Sequence, residues 1–221
     1  LRGLALVQID DYQRARSDLQ QANPGKDHNV ASSLAQACFR LDDYTCLKDA
    51  AEKAVALKSS DETSLRLLVR GALDQARRAK SESEKSQHYG YAAQKARQLV
   101  DISSDKNNAR ELLAAALLGA GSYTASITES EKVLQAEPKN CSAMLNIVTC
   151  YQELEKWGSV VSWAEKASKC DPKSDVAFAK MALGHNKLGK ALDEKAFEGR
   201  AEHFSKAREA AQKALSIKNS S

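Results

Sequence analysis

Between Asn107 and Ser174 one pattern occurs twice in tandem at a constant spacing, and that spacing restricts the possible folds more than any other feature. NNARELLAAALLGAGSYTASITESEKVLQAEPKN runs directly into CSAMLNIVTCYQELEKWGSVVSWAEKASKCDPKS, and the two align without a gap. Pro138 and Pro172 are 34 residues apart, as are Tyr123 and Trp157. A fixed period of this size marks one supersecondary unit used repeatedly. Each unit buries its apolar face against its neighbours, so a single unit is not stable alone. The residues between the turns favour helix: charged side chains make up 28% of the chain, aromatics 5%, and there are only three Pro.

The period, the aromatic in each turn and the Pro closing each unit together resemble the tetratricopeptide repeat, a helix-turn-helix unit of that length. The resemblance implies an all-α, right-handed α-solenoid of antiparallel helix pairs, a TPR-like superhelix, spanning residues 1–221 as one array. Residues 1–26 read as a partial unit, so a preceding segment is expected. Gly3 takes the small-residue position, Tyr12 the turn, and Ala15, Leu19 and Ala22 follow at helical spacing. Asn23-Pro24-Gly25 then stops the helix, because Pro cannot continue it and Gly allows a left-handed turn. Residues 28–61 form the next unit, with Tyr44 in the turn and Ser59-Ser60-Asp61 supplying a polar break and an N-cap for the helix that follows.

Two further units carry insertions. In residues 62–106 the turn aromatic is Tyr89, 45 beyond Tyr44, which leaves about eleven extra residues. They are largely ARRAKSESEKSQ, expected as a longer first helix followed by a short exposed loop. Residues 107–140 and 141–174 are the tandem pair. There Ala114, Gly121 and Ala167 are expected to admit close helix approach, while Leu113, Ile127, Leu134, Ile147, Tyr151 and Trp163 fill the space around them. In residues 175–221, Phe204 lies 47 beyond Trp157, an insertion of about thirteen, and the last helix is expected to cap the array.

A net charge of +4 on 221 residues suits neither a nucleic-acid module nor a polybasic membrane anchor. No window approaches the roughly 18 apolar residues of a membrane span. Nucleophile elbows, phosphate-binding glycine loops and HExxH segments are absent, and Gly119-Ala120-Gly121 reads as a turn between helices. His28, His88, His185 and His203 are scattered, with only His185 and His203 placed to approach one another. The reading is therefore of a non-enzyme without cofactor or metal. Trp157 and Trp163 are read as packing residues. The five Cys leave two readings open: small buried thiols in a cytoplasmic protein, or an extracytoplasmic chain bridged at Cys141–Cys170, with Cys38–Cys46 the weaker pair.

In tetratricopeptide proteins the first helices of successive units line a concave groove. The resemblance carries that role onto Arg66, Leu67 and Arg70; Glu111, Leu112 and Ala115; Leu145, Asn146 and Thr149; and Ala179, Lys180 and Leu183, with Phe39 and Arg40 extending it. The candidate partner-binding residues are Arg66, Arg70, Leu112, Leu145, Asn146 and Lys180. Their mix of apolar and cationic groups implies a peptide or protein segment with apolar and acidic residues. The carboxylate clamp that one subfamily uses for chaperone tails is matched only by Asn146 and Lys180. Glu111, Ala115 and Val176 stand where cations and an Asn are needed, so that ligand is not expected. The alternative is a structural module whose repeat edges form homo-oligomers.

Overall fold

The computed structural model describes residues 2–193 and 195–220. Leu1 and Ser221, at the two ends of the expected array, and Glu194 of the second insertion lie outside the described residues. Among the described residues there are twelve α-helices and no strand. In chain order they are α1 (Arg2–Gln8), α2 (Tyr12–Gln21), α3 (His28–Arg40), α4 (Tyr44–Leu57), α5 (Glu62–Arg78) and α6 (Glu82–Ile102). Then follow α7 (Lys106–Gly119), α8 (Tyr123–Ala136), α9 (Cys141–Glu153), α10 (Trp157–Cys170), α11 (Asp175–Ala191) and α12 (Phe197–Lys218).

Short polar side chains start most of these helices by accepting backbone N–H groups that the first turn leaves unpaired. Asp11, Asp43, Asp61, Asp105, Asn140 and Ser174 each accept from the amide three residues on. The tight turns inside the regular units share a second device. Asp10, Asp42, Gly121 and Glu155 adopt positive φ, each two residues before a turn aromatic. A single left-handed residue reverses the chain within a few positions, and short polar residues or Gly tolerate it best. At the end of α2 the residue in this conformation is Asn23, at φ 57°, and not the expected Gly25.

Among the described residues of the insertions none adopts the left-handed conformation. α5 ends on extended Ala79 and α11 on extended Leu192. The extra residues of the third unit do not lengthen the first helix alone. α5 has 17 residues and α6 has 21, so α6 begins a full two turns before Tyr89, and only 79–81 remain as a connection.

Two compact units divide the chain, Leu1–Ala120 and Gly121–Ser221. In the first, α1 to α7 pack as successive helical hairpins around Leu19, Leu34, Leu47 and Leu68, and then around Val69, Leu113 and Leu117. Each such buried side chain contributes about 1.5–3 kcal/mol. Ala and Gly let the helices close on these groups. A Cβ on Gly119 would lie 2.2 Å from the Tyr89 ring, so α7 meets α6 through bare backbone. Gly119 thus fills the close-packing role expected of Gly121, which instead supplies a positive φ in open space.

In the second unit, Met144, Ala167 and Ala177 pack with Leu134, Leu145 and Trp163. Val148, Val160 and Ala164 pack with Tyr151, Trp157 and Met181. Both Trp residues work as packing groups, and each also carries a Lys over its ring: Lys166 at 3.9 Å from Trp163 and Lys187 at 5.2 Å from Trp157.

Two cysteine pairs lie at bonding distance, each with Cα atoms 5.7 Å apart. Cys141–Cys170 joins the start of α9 to the end of α10, and Cys38–Cys46 joins α3 to α4 across their turn. Geometry makes the second pair as close as the first. Cys150 is the remaining thiol and is buried.

Candidate functional site

The expected partner-binding residues fall on first helices of both units. In the first unit, α5 carries Arg66, Leu67 and Arg70 along one side, and α7 carries Leu112. Arg66 is not a free cation. Its guanidinium donates to Glu62 Oε1 at 2.5 Å and to Asn108 Oδ1. Glu62 also accepts from the Ser103 hydroxyl at 2.8 Å and the Ser104 amide at 3.2 Å, which ties the start of α5 to the segment between α6 and α7. The Ser103 hydrogen bond, together with Arg66, holds the Glu62 carboxyl below its ordinary range. Arg70 is exposed and has no ion pair among the described residues. Leu112 is half-buried against Leu65, Leu99 and Ala109, leaving part of its side chain in solvent.

In the second unit, α9 carries Leu145, Asn146 and Thr149, and α11 carries Lys180. Leu145 is half-buried against Met144 and Ala177. The Asn146 amide donates to Ser126 Oγ at 2.7 Å and Ser130 Oγ at 2.8 Å, so both its N–H groups are used between α8 and α9. Lys180 Nζ donates to Gln152 Oε1 at 2.6 Å, linking α11 to α9. It is half-buried, and that burial pushes its pKa down, only partly opposed by Glu153. No carboxylate pairs with it among the described residues. A desolvated ammonium held by a neutral amide retains most of its capacity to attract an anion.

The opposite side of α11 holds a second feature. Phe178, Met181 and His185 face α10 and α12 and floor an open cleft of about 680 Å³, with Glu165 on the α10 side and Lys206, Glu209 and Lys213 on the α12 side. At its end His185 Nδ1 and His203 Nδ1 are 3.0 Å apart, one donating to the other. Burial first, then the neighbouring His203 and Lys206, push the His185 pKa below the ordinary imidazole value. Among the described residues no group of three His, Cys, Asp or Glu side chains converges as a metal site. No described helix is long and apolar enough to cross a membrane.

No protein-family model matches the sequence, and no curated protein matches it. Solved structures do. YrrB, a TPR protein with an unusual peptide-binding site, superposes with a TM-score of 0.64 over 92% of each chain at 14% identity. MamA from Desulfovibrio magneticus RS-1 gives 0.66 over 90% of this chain and 97% of its own at 15% identity. The C-terminal part of a TPR repeat-containing protein from Cytophaga hutchinsonii gives 0.69 over 96% and 78% at 12% identity.

The chain has the tetratricopeptide-repeat fold.

Within that fold, first-helix positions α5, α7, α9 and α11 carry all six expected binding residues, but three of the four polar ones already have partners in the chain. The cleft between second helices α10 and α12 was not anticipated. A signal for it exists in the sequence: Lys206 stands two residues after Phe204, where Tyr91 stands two after Tyr89.

Proposed function

We propose that this tetratricopeptide-repeat chain is a non-catalytic protein-interaction scaffold that binds an acidic and apolar segment of a partner on its first-helix faces. The observation that carries the reading is Lys180: a half-buried ammonium whose hydrogen-bond partner is a neutral Gln152 amide. Burying a charge without an opposite charge costs stability, and an incoming carboxylate offsets that cost. Half-buried Leu145 on α9, and in the other unit half-buried Leu112 on α7 and exposed Arg70 on α5, add apolar surface and a cation on first helices. Peptide binding by YrrB, which shares the fold, supports a peptide as the ligand class. The two cysteine pairs support folding in an oxidising compartment.

The test is a pull-down by the full chain beside Arg70→Glu and Lys180→Met variants, followed by titration of the captured partner. Arg66 is left intact because its charge ties α5 to its neighbours. The proposal expects one or both variants to weaken the same partner about tenfold or more while keeping their helical circular dichroism, as loss of a charge-assisted hydrogen bond does. Equal capture by all three proteins would sink it. Self-association is the second reading, favoured by Phe197 at 79% exposure beside Leu192 at 37%. It requires a mass that rises with concentration and falls back on Phe197→Ser substitution.

A further inference from the structure

We propose that the cleft between α10, α11 and α12 is a second binding site, which takes a tyrosine side chain from a partner segment and hydrogen-bonds its hydroxyl to Glu165. The chain supplies the template for this occupant in its own first unit. There α4 and α6 both pack on α5, and their backbones stay too far apart to touch. Tyr91 of α6 spans the space: its hydroxyl donates to Glu52 Oε1 of α4 at 2.7 Å, and Lys48 sits 4.8 Å from its ring. Its ring packs on the cluster containing Leu68 of α5, which is 0% exposed.

The second unit has the same three-helix arrangement with the bridging ring missing. α10 and α12 both pack on α11 and do not approach one another. Glu165 lies eight residues after Trp157, as Glu52 lies eight after Tyr44. Met181 and Phe178 correspond to Leu68 and Leu65, counted from the first residues of α11 and α5. Lys206 occupies the place of Tyr91, and its ammonium turns back to Glu202 of its own helix at 2.5 Å. Ala214 similarly replaces Leu99, counted from Phe204 and Tyr89.

The consequence is a half-covered apolar floor and an acceptor carboxylate on the far wall. The Glu165 carboxylate has no hydrogen bond or ion pair among the described residues, while the backbone carbonyl of Glu165 accepts from the Ser168 hydroxyl at 2.9 Å. An aromatic ring ending in a hydroxyl satisfies floor and carboxylate at once, as Tyr91 does for Glu52. The cleft's volume, about 680 Å³, also exceeds one ring, so an apolar neighbour of the tyrosine would pack on Phe178. Charges of both signs line the α12 wall, so they select no charge in the flanking residues. Phe178, Met181 and His185 face away from Lys180 and Leu183 on α11, which separates this site from the first-helix face of the proposed function.

The chain has two Met, and only Met181 lines the cleft, so methyl-labelled methionine spectra give one reporter and one internal control, Met144. The full chain is titrated with the peptide Gly-Ser-Tyr-Leu-Ser-Gly, blocked at both ends, and with its Phe and Ala versions. The Tyr peptide is expected to shift Met181 and leave Met144 in place, the Phe version to bind about tenfold more weakly, and the Ala version not to bind. Glu165→Ala should bring the Tyr peptide to the Phe level. Lys206→Tyr, checked by circular dichroism, should refill the cleft from within, raise Tm and abolish the shift. Failure of the Tyr peptide to move Met181, equal affinity for Tyr and Phe, or undiminished binding to Lys206→Tyr would each overturn the proposal. So would a Met181 shift driven by protein concentration alone, which would assign the cleft to a second copy.

Discussion

Asp61 shows how one carboxylate serves two elements. It is 6% exposed, caps α5 through the Ser64 amide at 3.1 Å, and meets His28 Nε2 of α3 at 2.9 Å. Burial alone would raise its pKa, but the Ser64 and His28 hydrogen bonds outweigh burial and hold it below the ordinary carboxylate value. The folded carboxyl therefore binds its proton less readily than the unfolded one. Its contribution to stability is complete above the unfolded value and is lost as pH falls through that value toward the lower folded one. We expect Asp61→Ala to cost about 1–2 kcal/mol in urea titrations at pH 7. Asp61→Asn should flatten the acid limb of the stability profile between pH 5 and 2, and an unchanged acid limb would remove Asp61 from this role. A cap within Ser59-Ser60-Asp61 was legible in the sequence, and the structure places it on Asp61. The His28 partner was not, because it lies 33 residues away and depends on how α3 and α5 pack.

At the scale of helices, the reversals are written locally and the close approaches are not. Asp10-Asp11-Tyr12, Asp42-Asp43-Tyr44, Gly121-Ser122-Tyr123 and Glu155-Lys156-Trp157 each place a positive-φ residue, a cap and an aromatic in succession. That recurrence is why the helix-turn-helix pattern can be read before any contact is known. Where an insertion removes the triplet, no local signal divides the extra residues between the two helices: residues 62–106 read as a longer first helix and an exposed loop, whereas both helices are lengthened. Gly119 is the opposite case, since its importance comes from Tyr89 in the preceding helix. Gly119→Ala would gain helix propensity yet drive a methyl into that ring, so we expect a net loss of about 1–3 kcal/mol. A Tyr89→Ala background should relieve it, and a stabilised Gly119→Ala single variant would refute the contact. The bridges act at this scale too. Cys141–Cys170 spans 29 residues and Cys38–Cys46 spans 8, so loss of the longer loop should release more unfolded-chain entropy. Cys141→Ser/Cys170→Ser is expected to cost about 2–4 kcal/mol and the shorter pair less. Full alkylation of four cysteines in the unreduced native protein would show that the pairs are not bonded.

For the whole molecule, the 34-residue period carried the fold, because stacked units bury their apolar faces only against one another. The same logic explains why binding surfaces were harder to read. Repeat position tells which side of a helix a residue occupies, but not whether a neighbour has already claimed its polar group. Arg66 is taken by Glu62 and Asn108 and Asn146 by Ser126 and Ser130, whereas Lys180 hydrogen-bonds a neutral amide with Glu153 only partly offsetting its burial, and Arg70 has no ion pair among the described residues. The central claim is that the first-helix faces receive the partner. Hydrogen exchange of the full chain, with and without its captured partner, tests this most directly. The account predicts slowed exchange in α9 and α11, in α5 and α7, or in both pairs, and loss of that protection in Lys180→Met or Arg70→Glu. Protection confined to second helices and connecting turns, unchanged in both variants, would contradict it.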